Sequence, residues 1–295
     1  MSLRRDELPL VQRPRSRMPN ESSSAEQITR ASKSNLALAF VSLGPERRRD
    51  ITIFYAFCRL IDDVADSPQL SVPEKARQLT IWRNALSGPS ANEPVLAPAV
   101  RGLMEKYPIT PPMLGEIIDG VEMDLTIARY ETFAMLREYC YRVASAVGLV
   151  SIEIFGYQNQ DCKAYAIELG LALQVTNILR DVDKDLANGR VYLPLQDMAL
   201  FKYSIDDLTA RVYDERFVRL MQHEAQRAHA HFEKAAAVLP REDRRAMVGA
   251  QIMGSIYHAL LRQMERDRFR VFTRHYGLSK FAKFLHVSRH LLNLG

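Results

Sequence analysis

Beyond the first two dozen residues, apolar side chains recur at the three-to-four-residue spacing of a helix face, and alternating strand patterns are nearly absent. Pro45-Glu46 marks a helix start, with proline in the first turn, and the pattern runs through Phe54 and Phe57 to Asp66, where Ser67-Pro68 stops it. Further helices are expected at 73–87, 95–106, 112–128, 132–156, 160–187, 205–238, 241–267 and 278–292. The breaks fall at Ser87-Gly88-Pro89, Tyr107-Pro108, Pro111-Pro112, Gly156, Asn188-Gly189 and Leu239-Pro240. Ala144 to Phe155 and Ala164 to Leu179 are apolar over much of their circumference, so other helices must wrap them. The expectation is one all-α domain over residues 25–295, a bundle with buried central helices. Residues 1–24 carry prolines, arginines and a Ser-Ser-Ser run without periodicity and read as a loosely attached or disordered leader.

Composition narrows the partners. The 295 residues are 47% hydrophobic and 25% charged, enough apolar material for a sizeable core. A formal charge of +5 is spread among acids rather than gathered on one tract, which argues against nucleic acid and suits polyanionic diphosphates or an anionic membrane surface. Three cysteines, Cys58, Cys140 and Cys162, without CxxC spacing suggest buried thiols in a reducing compartment. No apolar run approaches the roughly 20 residues of a spanning helix, and no secretion signal is present, so a cytoplasmic location is expected.

The chemistry concentrates in two acidic stripes. In Tyr55-Ala-Phe-Cys-Arg-Leu-Ile-Asp62-Asp63-Val-Ala-Asp66, Asp62 and Asp66 stack on one helix face, with Asp63 about 100° round. Like charges at this spacing repel, and they sit at the C-terminal end, where the helix dipole disfavours them. Arg59 offsets only part of that cost. In the second segment Asn177, Asp181 and Asp185 form one oxygen stripe at i, i+4 and i+8, following an apolar helix that points it towards an interior cavity. Such stripes suit hard divalent cations, and magnesium is typically held by one or two carboxylates with waters and substrate phosphates. The plain alternative is a pair of solvated helix ends with local ion pairs. Asp119 with Glu122-Met-Asp124 either lines the same cavity or forms a polar face.

These segments resemble the two aspartate-rich signatures of the head-to-head prenyl synthases, the squalene/phytoene synthase family. The first is Tyr-Ala-Phe-Cys-Arg leading to Asp62-Asp63-Val-Ala-Asp66. The second is Asn177-Ile-Leu-Arg-Asp-Val followed by Gly189-Arg-Val-Tyr-Leu-Pro194, and Tyr139-Cys-Tyr-Arg-Val-Ala-Ser-Ala-Val-Gly148 also resembles a family segment. The resemblance spans about residues 32–284. It implies the isoprenoid synthase type of helical bundle with a central active-site cavity, working as a monomer or homodimer.

By that resemblance two or three magnesium ions are held by Asp62, Asp63 and Asp66 on one side and Asn177, Asp181 and Asp185 on the other. The diphosphates are gripped by Ser34, Tyr55, Arg59, Arg180, Arg190, Tyr257, Arg270 and Lys280. Asp62, Asp66, Asp181, Asp185 and Tyr139 are the catalytic candidates. Phe54, Phe57, Val143, Val147, Leu171, Leu173 and Gln174 are candidate cavity walls, with plain core packing the competing reading for each. One departure is Ser34-Asn-Leu-Ala-Leu38, where the family usually shows Ser-Phe and further aromatics.

Tyr-Ala-Phe-Cys-Arg and Ile152-Glu-Ile-Phe-Gly-Tyr157 look most like bacterial presqualene diphosphate and squalene synthases using farnesyl diphosphate, with phytoene synthase on geranylgeranyl diphosphate as the alternative. No Gly-x-Gly-x-x-Gly occurs, so the sequence gives no positive sign of NADPH, though reductases of this family do not depend on a Rossmann domain. Terpene cyclases and chain-elongating synthases are disfavoured, since neither carries the Asn-Ile-Leu-Arg-Asp segment with Gly-Arg-Val-Tyr-Leu-Pro. A non-enzymatic helical adaptor would be favoured if the stripes bound no magnesium. The basic segment Leu278 to Leu292, with Phe281, Phe284, Leu285 and Leu292 on one face, reads as a docked terminal helix or a peripheral membrane contact. His223-Glu224 lacks the second histidine of a zinc motif, and His286 with His290 lacks a third ligand, so both read as solvated or ion-paired.

Overall fold

Four successive helices begin with proline in their first turn, where the missing amide costs nothing: α1 (Pro45–Asp66), α2 (Val72–Ser87), α3 (Ala97–Lys106) and α4 (Pro111–Thr126). A computed structural model describes residues 43–279 together with Ala282, Leu285, His286 and Ser288. The leader, Ser34, Lys280, Phe281, Phe284, His290 and Leu292 lie outside the described residues. α1 has the predicted limits because its start and stop are local. Its four-residue charged opening is exposed, and Ile51, Phe54, Ile61 and Ala65 then bury one side.

The segment expected as a single helix over 132–156 is three pieces: α5 (Phe133–Cys140), a π-helical turn (Tyr141–Ser145) and α6 (Ala146–Phe155). Two neighbours press on that turn from different sides. A Cβ on Gly120 of α4 would lie 2.7 Å from Arg142 Cβ, and one on Gly170 would lie 2.6 Å from Ser145 Cα. A π turn re-aims the side chains that follow it and is frequent at functional sites.

α7 (Asp161–Ala187) is the apolar central helix. It packs on α5, the π turn, α6, α10 (Glu215–Val238) and α11 (Val248–Arg266), as its all-round hydrophobicity required. Two short helices not foreseen as separate, α8 (Leu195–Leu200) and α9 (Ile205–Thr209), follow it. α9 is closed by a Ser204–Asp207 capping box, and Asp214 caps the start of α10, so the expected 205–238 helix is broken between them. The expected 241–267 helix begins only at Val248. Asp243 is instead committed to the backbone amides of Gln158 and Asn159 ahead of α7, at 2.8 and 2.9 Å. No strand occurs among the described residues. One bridge, Arg129 with Val191, ties the loop after α4 to the loop after α7 through Val191 N–H donating to Ala128 O at 2.8 Å.

No helix among the described residues is long and apolar enough to cross a membrane.

Candidate active site

α1 and α7 each carry their polar stripe at the same end of the bundle, and the Arg129–Val191 bridge brings a third element, the end of α4, to it. Arg190, just past α7, donates to Asp66 of α1 at 3.0 Å and lies 3.9 Å from Asp124 of α4. Asp124 accepts hydrogen bonds from the Tyr192 hydroxyl at 2.6 Å and the Tyr139 hydroxyl at 3.0 Å. The two phenols also touch at 3.2 Å, with their rings stacked at 5.0 Å, and Tyr130 completes the aromatic group.

The electrostatics are those of a crowded anionic cleft. Asp62 is open to solvent on one side, yet the protein walls round it, and then Asp66, push its carboxyl up to about 7. Burial and the charge of Asp181 raise Asp185 likewise to about 7. Asp124 is raised by burial against the pull of Tyr192, Arg190 and Tyr139. Asp62 and Asp185, on different helices, both feel the charge of Asp124, so the carboxylates share one field. Asn177 Nδ2 donates to Gln174 Oε1 at 3.4 Å, while the Asn177 Oδ1 acceptor is buried without a hydrogen-bond partner. Orphaned acceptors are rare in folded proteins. An unpaired amide oxygen beside clustered carboxylates is a donor set that fits a hard divalent cation.

Among the described residues, each cationic candidate is held by a carboxylate or an aromatic ring. Arg59 pairs with Asp63 at 2.6 Å, which turns Asp63 along the helix surface, off the line of Asp62 and Asp66. Arg180 forks onto Asp181 (2.8 Å from Nε) and also bonds Tyr257 of α11. Tyr55 is half-buried one turn before Arg59. Arg270 is exposed, its guanidinium over the Tyr213 ring.

An inner apolar cavity of about 110 Å³ lies between α6, α7 and α11, one turn from the Asn177 stripe. Leu173 and Val147 are among the residues that line it. Val143 and Gln174 are half-buried near its upper end. Phe54, Phe57 and Leu171 do not line it, and the expectation for these three is corrected. Phe57 lies about 140° round α1 from Asp62, and Leu171 about 120° round α7 from Asn177, so both turn into the core. Phe57 packs edge-on against Trp82 at 5.3 Å, Phe54 stacks beside it, and Leu171 is fully buried.

The acidic group left open between cavity and polar face divides. Asp124 joins the site, whereas Asp119 and Glu122 are bridged by Arg83 at 2.6 and 3.0 Å. Elsewhere Asp197, His223 and Glu224 bring three ligand atoms within 4.8 Å of one another. Arg227 lies between the two carboxylates, 2.5 Å from Asp197 and 2.6 Å from Glu224, which makes this an ion-pair network and agrees with the reading of His223-Glu224. His286 Nδ1 lies 3.1 Å from Ser255 Oγ. Tyr192 is the role that the sequence reading missed: it was visible only as part of a motif, because its partner Asp124 arrives through a backbone bridge between distant loops.

The squalene/phytoene synthase family model matches residues 29–282. A 15-cis-phytoene synthase of Synechocystis sp. is 34% identical over 277 residues, covering 88% of this chain and 81% of that one. A presqualene diphosphate synthase of Zymomonas mobilis is 31% identical over 245 residues, covering 82% and 84%. Among solved structures, a dehydrosqualene synthase superposes with a TM-score of 0.81 at 26% identity, covering 93% of this chain and 96% of its own. The bundle and these relatives make the protein a helical prenyltransferase of the head-to-head class. It belongs to the squalene/phytoene synthase family.

Proposed function

We propose that this enzyme condenses two farnesyl diphosphates head to head into presqualene diphosphate, releasing one diphosphate and one proton. The observation that carries the reading is the acidic cleft of Asp62, Asp66, Asp124, Asp181 and Asp185, with an apolar cavity that begins at Leu173, one turn of α7 before Asn177. Magnesium, held by Asp62 and Asp66 and by Asn177, Asp181 and Asp185, would supply Lewis-acid stabilisation of the departing diphosphate. Arg59, Arg180 and Arg190 exchange their carboxylate partners for phosphate oxygens, and Tyr257 orients Arg180. The allylic cation left behind is attacked by the double bond of the second substrate. The apolar walls around Val147 and Leu173 exclude water from it. As the cyclopropane closes, the lost proton is taken up at Tyr139 Oη, whose own proton passes to Asp124, directly or by way of the Tyr192 hydroxyl.

The short inner cavity, floored by Phe155 and Tyr165, favours the C15 substrate. A second reading, geranylgeranyl diphosphate to phytoene, is favoured by relatives at 33–34% identity that bear the name phytoene synthase. The test is purified protein with magnesium and either substrate, followed by product analysis with and without NADPH. The expected result is diphosphate release and a C30 cyclopropyl diphosphate unchanged by NADPH. A C40 product from the C20 substrate alone favours the second reading, and no diphosphate release from either substrate removes both.

A further inference from the structure

A second, larger cavity of about 540 Å³ lies on the far side of α11, bounded by α7, α10 and α11. It shares two wall residues with the inner cavity, Tyr165 and Leu169 of α7. On α11 the consecutive residues Met253 and Gly254 face different cavities, Met253 the inner and Gly254 the outer. Leu169 is nearly fully buried and reaches so close to α11 that a Cβ on Gly254 would lie 3.1 Å from its Cδ1. One leucine side chain, seated on a glycine and flanked by Tyr165, thus forms the partition between the two spaces.

We infer that the Leu169–Gly254 partition is the length stop for the prenyl tail, and that a chain one isoprene unit longer would have to run through it into the outer cavity. This rests on the reading of the inner cavity as a prenyl-tail site. A tail entering at the Asn177 stripe descends α7 past Leu173 and meets Leu169 after about 12 Å, at 1.5 Å of rise per residue. Tyr165, a further turn down, and Phe155 of α6 close the floor. The near side thus ends at Leu169 and Tyr165, whereas the outer space beyond them is several times larger. Its lining includes the buried apolar residues Phe232 and Val248 together with the polar Glu233, Arg244 and His258. Leu169 and Gly254 determine specificity without touching the reacting carbons.

The experiment compares kcat/KM for farnesyl and geranylgeranyl diphosphate, by diphosphate release, in the wild type, Leu169→Ala, Leu169→Val and Gly254→Val, with melting curves for each. A single methylene in an apolar pocket changes discrimination by about 10- to 200-fold. Leu169→Ala is therefore expected to raise the C20-to-C15 ratio at least tenfold, the milder Leu169→Val to move it the same way, and Gly254→Val to leave it unchanged or lower it. If Leu169→Ala does not fold, Leu169→Val decides. A ratio within twofold of wild type in the folded Leu169 variants, with turnover retained, overturns the length stop and leaves the prenyl-transfer reading standing. A wild type that already prefers the C20 substrate overturns it as well. A wild type that consumes neither substrate overturns the functional reading and this inference together.

Discussion

Tyr192 donates a 2.6 Å hydrogen bond to Asp124, 68 residues earlier in the chain, and shares that carboxylate with Tyr139. Buried charge is tolerated only when it is hydrogen-bonded, so the two phenols are what allow Asp124 to sit between the stripes. Tyr192→Phe removes the shorter of the two bonds and loosens Tyr139. It is expected to destabilise the fold by about 1 to 3 kcal/mol and to lower turnover at least tenfold. Thermal melts and diphosphate-release rates check this. Unchanged turnover in Tyr192→Phe would mean that the phenol pair serves the fold alone.

The stripes make opposite demands on stability and activity. Asp62 is pushed up to about 7 by its enclosure and by Asp66, so without a cation its ionised form is a cost to the fold. Asp62→Asn should then leave the metal-free melting temperature equal or higher while abolishing turnover and the stabilisation gained on adding magnesium. Asp181→Asn should lose turnover similarly, and also release Arg180 from its forked pair. Near-normal turnover in either variant refutes that residue's assignment as a cation ligand.

What could be read from the chain followed from whether its cause was local. Pro45 and Ser67-Pro68 set the limits of α1, and the i, i+4, i+8 rhythm of Asn177, Asp181 and Asp185 put their stripe on one face, because both depend on neighbours in sequence. The π turn at Tyr141–Ser145 contains no breaking residue. It is associated with the close approach of Gly120 and Gly170, which belong to other helices. Asp243 looks like a residue inside a helix, but it satisfies amides some 80 positions earlier. Phe54 and Phe57 suit a cavity wall by residue type, but the angle between Phe57 and Asp62 on the helix directs Phe57 to the core. Asp124 stayed ambiguous because its partners, Tyr192 and Arg190, reach it only through the Arg129–Val191 bridge.

Outside the stripes, Glu224 gives a pH-dependent prediction. Burial pushes its carboxyl up to about 7, although Arg227 pulls the other way, while Arg227 holds the neighbouring Asp197 below the usual range despite burial. Because the folded state binds this proton more tightly than the unfolded state, its stabilising contribution is complete below about pH 4.5 and is lost as pH rises through about 7. Glu224→Gln carries no such titration. Its stability relative to wild type should climb by about 3 kcal/mol between pH 4 and pH 8, on top of a constant offset from the lost Arg227 pair. Denaturant melts across that range test the slope; parallel curves for the two proteins would sink the idea.

A close packing of α7 on the π turn yields the last prediction. Gly170 of α7 faces Ser145, the final residue of the π turn, and an added Cβ would meet Ser145 Cα, N and Oγ at 2.6, 2.7 and 2.8 Å. Two of these atoms are backbone, so no rotamer change relieves the clash, and either α7 or the turn must move. The Ser145 hydroxyl also donates to Ile167 O on α7 at 2.8 Å, a bond that the same movement would stretch. Overpacking of this kind costs about 1 to 3 kcal/mol, so Gly170→Ala should lower the melting temperature by several degrees. The effect on activity should exceed the effect on stability. Tyr139 lies two residues before the π turn and Val147 two after it, so displacement of the turn shifts the phenol on Asp124 and a cavity wall together. Turnover measured well below the variant's melting temperature is expected to fall at least tenfold. A variant destabilised but fully active at low temperature would show that the turn supports the fold without setting the geometry of the site.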